Sequence, residues 1–168
     1  MKVKLIIILL LCAAFLLVYF IYPREQKIDN HLSNNELLLL SDRSLISGTI
    51  NEKIFEFELV NSNASRTLGL SNRDAIGSDG MLFVFNKKAS QSIWMKDMNF
   101  NLDLIWLSDG EIIGFNLAVP KPEPDQNLSE LPIYQPVLAA NAVLETQAGF
   151  VKQHGLEIGD SFTFFSLP

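Results

Sequence analysis

Trp94, Lys96 and Asp103 bring an indole, an ammonium and a carboxylate into one short stretch of chain. Such a set can line a pocket, the indole as a flat apolar platform and the charges as anchors for a ligand's polar ends. In an extended segment, alternation puts Trp94 and Lys96 on one face and Ile93 and Met95 on the other. Asp103 lies between Leu102 and Leu104, inside an apolar run. A carboxylate buried there needs a cation or several donors, because isolated ionic burial is costly. Lys96 and Arg66 are its candidate partners, either at a ligand site or as a structural ion pair bracing a sheet. Glu145 can face the same cavity, or act as a helix-start acid favoured by the helix dipole. The candidate binding set is therefore Arg66, Trp94, Lys96, Asp103 and Glu145, with Trp106 read as core.

No reaction is legible. His31 lies in a polar stretch and His154 at a helix end, and neither has Ser, Asp or Cys partners at a nucleophile–base spacing. Cys12 is the single cysteine. The rest of the chain therefore has neither a disulfide nor a thiolate metal site, and no metal or cofactor is expected. Asp97 and Asp103 are a carboxylate pair of the type used in glycoside hydrolysis, which leaves Asp103 as acid or base as the enzymatic alternative.

The elements that must hold these residues read mainly as short strands. Lys53 to Val60 alternates Phe55, Phe57 and Leu59 with Glu56 and Glu58, one wet and one dry face. It pairs with Ser44 to Ile50 across Asn51-Glu52. Met81 to Phe85 is a buried strand, Ser92 to Met95 a second and Leu102 to Leu107 a third. Ser108-Asp109-Gly110 is a hairpin turn into Glu111 to Leu117. Val137 to Leu144 and Ser161 to Phe165 complete the set. Asn61-Ser62-Asn63 starts a short helix that Gly69 can end, and Thr146 can cap another running to His154 and closed by Gly155. Glu36 to Leu40 is either a short helix or an edge strand. Ala118 to Pro136 holds five of the seven prolines and reads as a long binding loop or flap. About eight short strands and two or three short helices, joined mainly by hairpins, predict an α+β fold, mostly antiparallel β, with a small barrel-like sheet.

The N-terminus is different. Leu5 to Tyr22 runs 18 residues without a charge behind Lys2 and Lys4. As a helix it would be about 27 Å long, against a hydrocarbon core of ~30 Å. Tyr19, Tyr22 and Pro23-Arg24 suit its far boundary. A cleavable signal peptide is the competing reading, but the apolar run passes Ala13-Ala14 and no small-x-small site follows Phe20. The chain is thus expected to divide into an anchor (1–22), a tether (23–43) and one β-rich domain (44–168). The basic flank favours an anchor with its N-terminus inside and the domain on the extracytoplasmic side. With a net charge of −6, a nucleic-acid partner is not expected.

Arg66-x-x-Gly69-Leu70, Gly80-Met81-Leu82-Phe83-Val84-Phe85, Trp94-Met95-Lys96 and Leu102-Asp103 follow one another in an order that resembles the domain-of-unknown-function 192 family. Tyr134, Leu144-Glu145, Ala148-Gly149 and Gly155-Leu156-x-Ile158-Gly159-Asp160 extend the resemblance over roughly residues 46–166. It implies a mostly β, barrel-like domain, often secreted or membrane-anchored, and no activity. The chain departs from the family pattern twice. The loop before Tyr134 carries Pro, Glu and Asp where relatives often have cysteines, and Asp97 stands where Asn is common. The functional expectation is a membrane-tethered, non-catalytic module that binds a small ligand or an envelope protein. The alternatives are an envelope hydrolase using Asp103 and a structural subunit of a membrane complex.

Overall fold

The computed structural model describes residues 31–166. The expected anchor at Leu5 to Tyr22 lies outside them. Among the described residues, no helix is long and apolar enough to cross a membrane.

The fold is mostly β, a curled half-barrel sheet with short helices around it. In chain order it comprises α1 (Asn34–Leu37), β1 (Leu45–Ile50), β2 (Lys53–Val60), α2 (Asn63–Leu68), β3 (Gly80–Ala89), β4 (Ile93–Trp94), β5 (Leu102–Ser108) and β6 (Glu111–Val119). A 3-10 turn (Leu128–Glu130), β7 (Ile133–Tyr134), β8 (Ala140–Gln147), α3 (Phe150–His154) and β9 (Thr163–Ser166) follow. Seven strands form one sheet in the order β6-β5-β8-β3-β2-β1-β9, and β4 pairs with β7 apart from it. Every pairing in the large sheet is antiparallel except β2 with β3, which α2 joins as a crossover. Its two edges meet at one end: Phe162 N–H donates to the Gly110 carbonyl at 2.9 Å and Ile112 N–H to that of Asp160 at 2.8 Å.

Both predicted hairpins form across residues in the left-handed region, Asn51 (φ 49°) with Glu52 (φ 62°) and Asp109 (φ 51°) with Gly110 (φ 87°). Paired left-handed residues match the twist of the strands they join. Ser62 caps α2, its hydroxyl accepting from Ser65 N–H, and Gly69 ends it. Glu36 resolves as helix, because Ser33 and Glu36 form a reciprocal capping box at α1.

Several boundaries differ from expectation. The segment 32–43, expected as tether, packs on the sheet: Leu32 N–H donates to the Phe164 carbonyl at 2.7 Å and Leu37 is buried. Ser92 to Met95 shrinks to the two-residue β4. The Val137 strand starts at Ala140 and runs through Thr146, so Thr146 is buried strand and does not cap a helix. Helix α3 starts at Phe150, with Gly149 at its N-cap.

Alternation along the central strands builds two apolar layers. One face carries Phe55, Phe57, Leu82, Val84, Ile105 and Leu144 under α1, α3 and β9. The other carries Met81, Phe83, Leu102, Leu104, Trp106 and Val143, covered by the segments around Leu70, Ile76, Met95 and Met98. Such double coverage explains why β3 and β5 read as continuous apolar runs.

Candidate functional site

The second face is incompletely covered. Between α2, β3, β4 and β8 lies a cavity of about 350 Å³, with walls from Phe83, Phe85, Ile93, Met98 and Leu102 and a mouth at Leu68 and Trp94. Arg66 and Glu145 line it as well. An adjoining recess of about 640 Å³ is lined by Thr67, Ser71, Trp94, Lys96 and Asp97. Trp94 borders both and is 47% exposed, an indole edge between two hollows.

Glu145 forms the floor. It is only 5% exposed and lies in β8 between Leu104 of β5 and Met81 of β3, both fully buried. Its position in the strand, five residues before α3, rules out the expected alternative of a helix-start acid. No described residue makes a hydrogen bond or ion pair to its carboxyl. Burial pushes the group up to about 8, against 4.5 for an ordinary glutamate. At neutral pH it is therefore mainly the neutral acid, an O–H donor aimed into an apolar hollow. The close approach of β3 to β8 depends on Gly80, since a Cβ there would stand 2.7 Å from the Glu145 carbonyl oxygen.

Arg66 stands on α2, its guanidinium 5.4 Å from the centre of the Phe85 ring. Its Nη1 donates to the carbonyls of Asn61 (2.6 Å) and Val84 (2.7 Å), and its Nη2 to Asn63 Oδ1 (2.6 Å). These acceptors are neutral oxygens, and the carboxylate of Asp103, for which Arg66 is a candidate partner, is not among them. Burial lowers the Arg66 pKa, partly offset by the field of Asp42. Asp42 itself holds the start of α2, accepting from Ser65 Oγ at 2.7 Å and Ser62 Oγ at 2.9 Å.

Lys96 and Asp103 go elsewhere. Lys96 pairs with its neighbour Asp97 at 2.7 Å and lines the outer recess with Trp94, so these two do share a hollow. Asp97 adopts φ 56°, a left-handed geometry that asparagine and aspartate tolerate better than most residues. Asp103 is 1% exposed and projects from the opposite face of the sheet. Its partners are not Arg66 or Lys96 but three backbone amides. Ala118 N–H donates to Oδ1 at 2.8 Å, and Gly149 and Val151 N–H donate to Oδ2 at 3.0 and 3.1 Å. It caps α3 from a distant strand, leaving neither oxygen free for acid–base work. Trp106 is core, as expected, its indole N–H donating to Asn116 Oδ1 at 2.7 Å.

The cavity's apolar walls escaped the sequence reading. Phe83 and Leu102 looked like ordinary core, and only the gap left by the α2–β4 cover exposes them. Among the described residues, no cluster of three or more His, Cys, Asp or Glu side chains could hold a metal ion.

Two solved structures resemble the fold. A protein from Sinorhizobium meliloti 1021, described as a candidate transcription regulator, aligns with a TM-score of 0.63 and 27% identity, over 74% of this chain and 97% of the other. A protein of unknown function from Novosphingobium aromaticivorans aligns with a TM-score of 0.58 and 23% identity, over 70% and 82% of the two chains. A stretch of 71 residues is 34% identical to part of the acetylglutamate kinase of Methanococcoides burtonii. That match spans 42% of this chain and 21% of the kinase, far too little of the enzyme to bring its activity along. The decisive match is to the family whose order of motifs the sequence displays, and it runs from residue 46 to residue 164. The chain belongs to the DUF192 family, described as uncharacterized ACR.

Proposed function

We propose that the protein is a non-catalytic binding module for a small molecule, held at the membrane by residues 5–22 with its domain on the extracytoplasmic side. The observation that carries this is Glu145, a buried carboxyl without a protein partner on the floor of an open apolar cavity. Its oxygens are not sealed in protein but face the hollow, where a ligand can displace solvent and supply the hydrogen bond that no side chain gives. Trp94 gives the mouth a flat surface on which an apolar body can rest. The hydrolase alternative gains no support, since both oxygens of Asp103 are taken up by backbone amides. A transcriptional role, as described for the S. meliloti relative, is disfavoured by the net charge of −6.

The test is a thermal-shift screen of a small-metabolite library on the full-length chain and on Thr67→Trp, which places an indole at the shared rim of the two hollows. Compounds that raise the melting temperature of the wild type and not of the variant support the reading. A library with no such compound overturns it. For the anchor, the full chain should stay with membranes after carbonate washing, and release would overturn that part alone.

A further inference from the structure

On the basis of the small-ligand reading, we infer that the cavity takes a small organic monoanion, a carboxylate on an apolar body. Its charge is set against Arg66, and one of its oxygens accepts a hydrogen bond from the Glu145 carboxyl. Arg66 and Glu145 are the only charged residue types on the lining. Among the described residues, neither takes part in a salt bridge. The three oxygens that hold Arg66 are neutral, so they fix the guanidinium without cancelling its charge. A guanidinium has five N–H donors, and these bonds engage three of them. Asp42, the acid whose field reaches Arg66, makes no hydrogen bond to it, its oxygens being held by Ser62, Ser65 and Asn61, so it offsets the guanidinium only at a distance.

Glu145 cannot supply the counter-charge while it is neutral. The residues beside it on β3 and β5, Met81, Phe83, Leu102 and Leu104, carry no charge to ionise it. Lys96 and Asp97 occupy the adjoining recess and neutralise each other. The hollow therefore offers a positive charge that Asp42 offsets only through its field, the O–H donors of Glu145 and Ser92, and largely apolar walls. A carboxylate satisfies all three, and its bond from a carboxylic acid is of the strong, charge-assisted kind. A cation meets Arg66 unfavourably, and a neutral molecule leaves Arg66 unpaired.

The sign of the pH dependence follows. Ionised Glu145 would repel the bound anion, so affinity is full below about pH 7 and falls as pH rises through the value near 8. Benzoate, benzyl alcohol and benzylammonium share a ring and differ in charge. Each would be titrated into the full-length chain with the methyl NMR signals of Leu68, Leu70, Ile93 and Met98 as the readout, from pH 6 to pH 9. Benzoate is expected to bind tightest, and about tenfold more weakly at pH 9 than at pH 6, because roughly one carboxyl in ten remains protonated a unit above its pKa. Glu145→Gln, a poorer but non-titrating donor, should weaken benzoate severalfold at pH 7 and abolish the fall between pH 7 and 9. Tighter binding of benzylammonium, a flat benzoate profile in the wild type, or an unchanged slope in the variant would each overturn the anion assignment. Binding of benzyl alcohol alone would overturn it while sparing the small-ligand reading. Silence from all three probes would count against both.

Discussion

Glu145 and Asp103 project from opposite faces of the same ladder: Glu145 stands opposite Leu104, and one step along, Asp103 stands opposite Thr146. Two carboxylates within one antiparallel pair thus have unrelated fates. One accepts from two amides at the start of α3 and a third in β6, and the other faces an open hollow with no protein partner.

Asp103 is therefore expected to be a stability residue. Asp103→Ala removes the acceptor of three amides, the Val151 bond buried and those of Ala118 and Gly149 part-buried. At about 1–3 kcal/mol for a buried donor left unpaired, and less where water can reach the amide, the variant should lose about 1–3 kcal/mol. Asp103→Asn keeps one acceptor but turns an NH2 towards the amides, so it should fall between the variant and the wild type. The urea midpoint measures both. Unchanged midpoints would mean that α3 does not depend on this cap.

The two tryptophans should separate by fluorescence. Trp106 is fully buried and Trp94 is 47% exposed. Acrylamide is expected to quench only the Trp94 component, and Trp94→Phe should leave an emission that the quencher barely reaches. A cavity ligand should protect Trp94 in turn. If Trp106 quenches as readily, the second face of the sheet is more open than the structure shows.

Gly69 ends α2 at φ 50°, ψ −131°, a conformation that residues with a Cβ seldom adopt. A Cβ there would also stand 3.2 Å from Phe83 Cζ, on the cavity wall. Gly69→Ala should cost about 1–3 kcal/mol from backbone strain and displace the Phe83 ring. The check is thermal unfolding together with ring-proton shifts of Phe83. A neutral substitution would show that the end of α2 can relax without reshaping the hollow.

What the sequence reveals here depends on how local the cause is. The Asn51-Glu52 and Asp109-Gly110 turns, and the cap of α2 at Ser62, are set by neighbouring residues and were legible. The start of α3 was not, because its cap is Asp103, on a strand 46 residues before Gly149. Thr146 has the chemistry of a cap, yet β5 and β3 claim it for the sheet. Glu145 could be named as a site candidate, but its partnerless state depends on Met81 and Leu104, the cross-strand neighbours that register alone supplies. The pairing of Asp103 with Arg66 or Lys96 failed for a related reason. Backbone amides are invisible as partners in a sequence, and here three of them outcompete any side chain.

The pH dependence of folding should carry the signature of Glu145. Its folded value is raised to about 8 from 4.5, so between these limits the folded chain binds a proton that the unfolded chain has released. The stabilising contribution is complete below about pH 4.5 and is lost as pH climbs through 8, with a slope of at most about 1.4 kcal/mol per pH unit. Acidic groups such as Glu58 act with the opposite sign at lower pH. Burial raises its pKa, but hydrogen bonds from Arg73 and Arg43 more than compensate and hold it below the usual range. The comparison that isolates Glu145 is therefore the difference between wild type and Glu145→Gln, measured as urea-unfolding free energy from pH 5 to pH 9. The wild type should lose stability relative to the variant steadily with rising pH, levelling off above pH 8. Parallel curves would mean that Glu145 is ionised in the folded chain, with a donor or cation close to it.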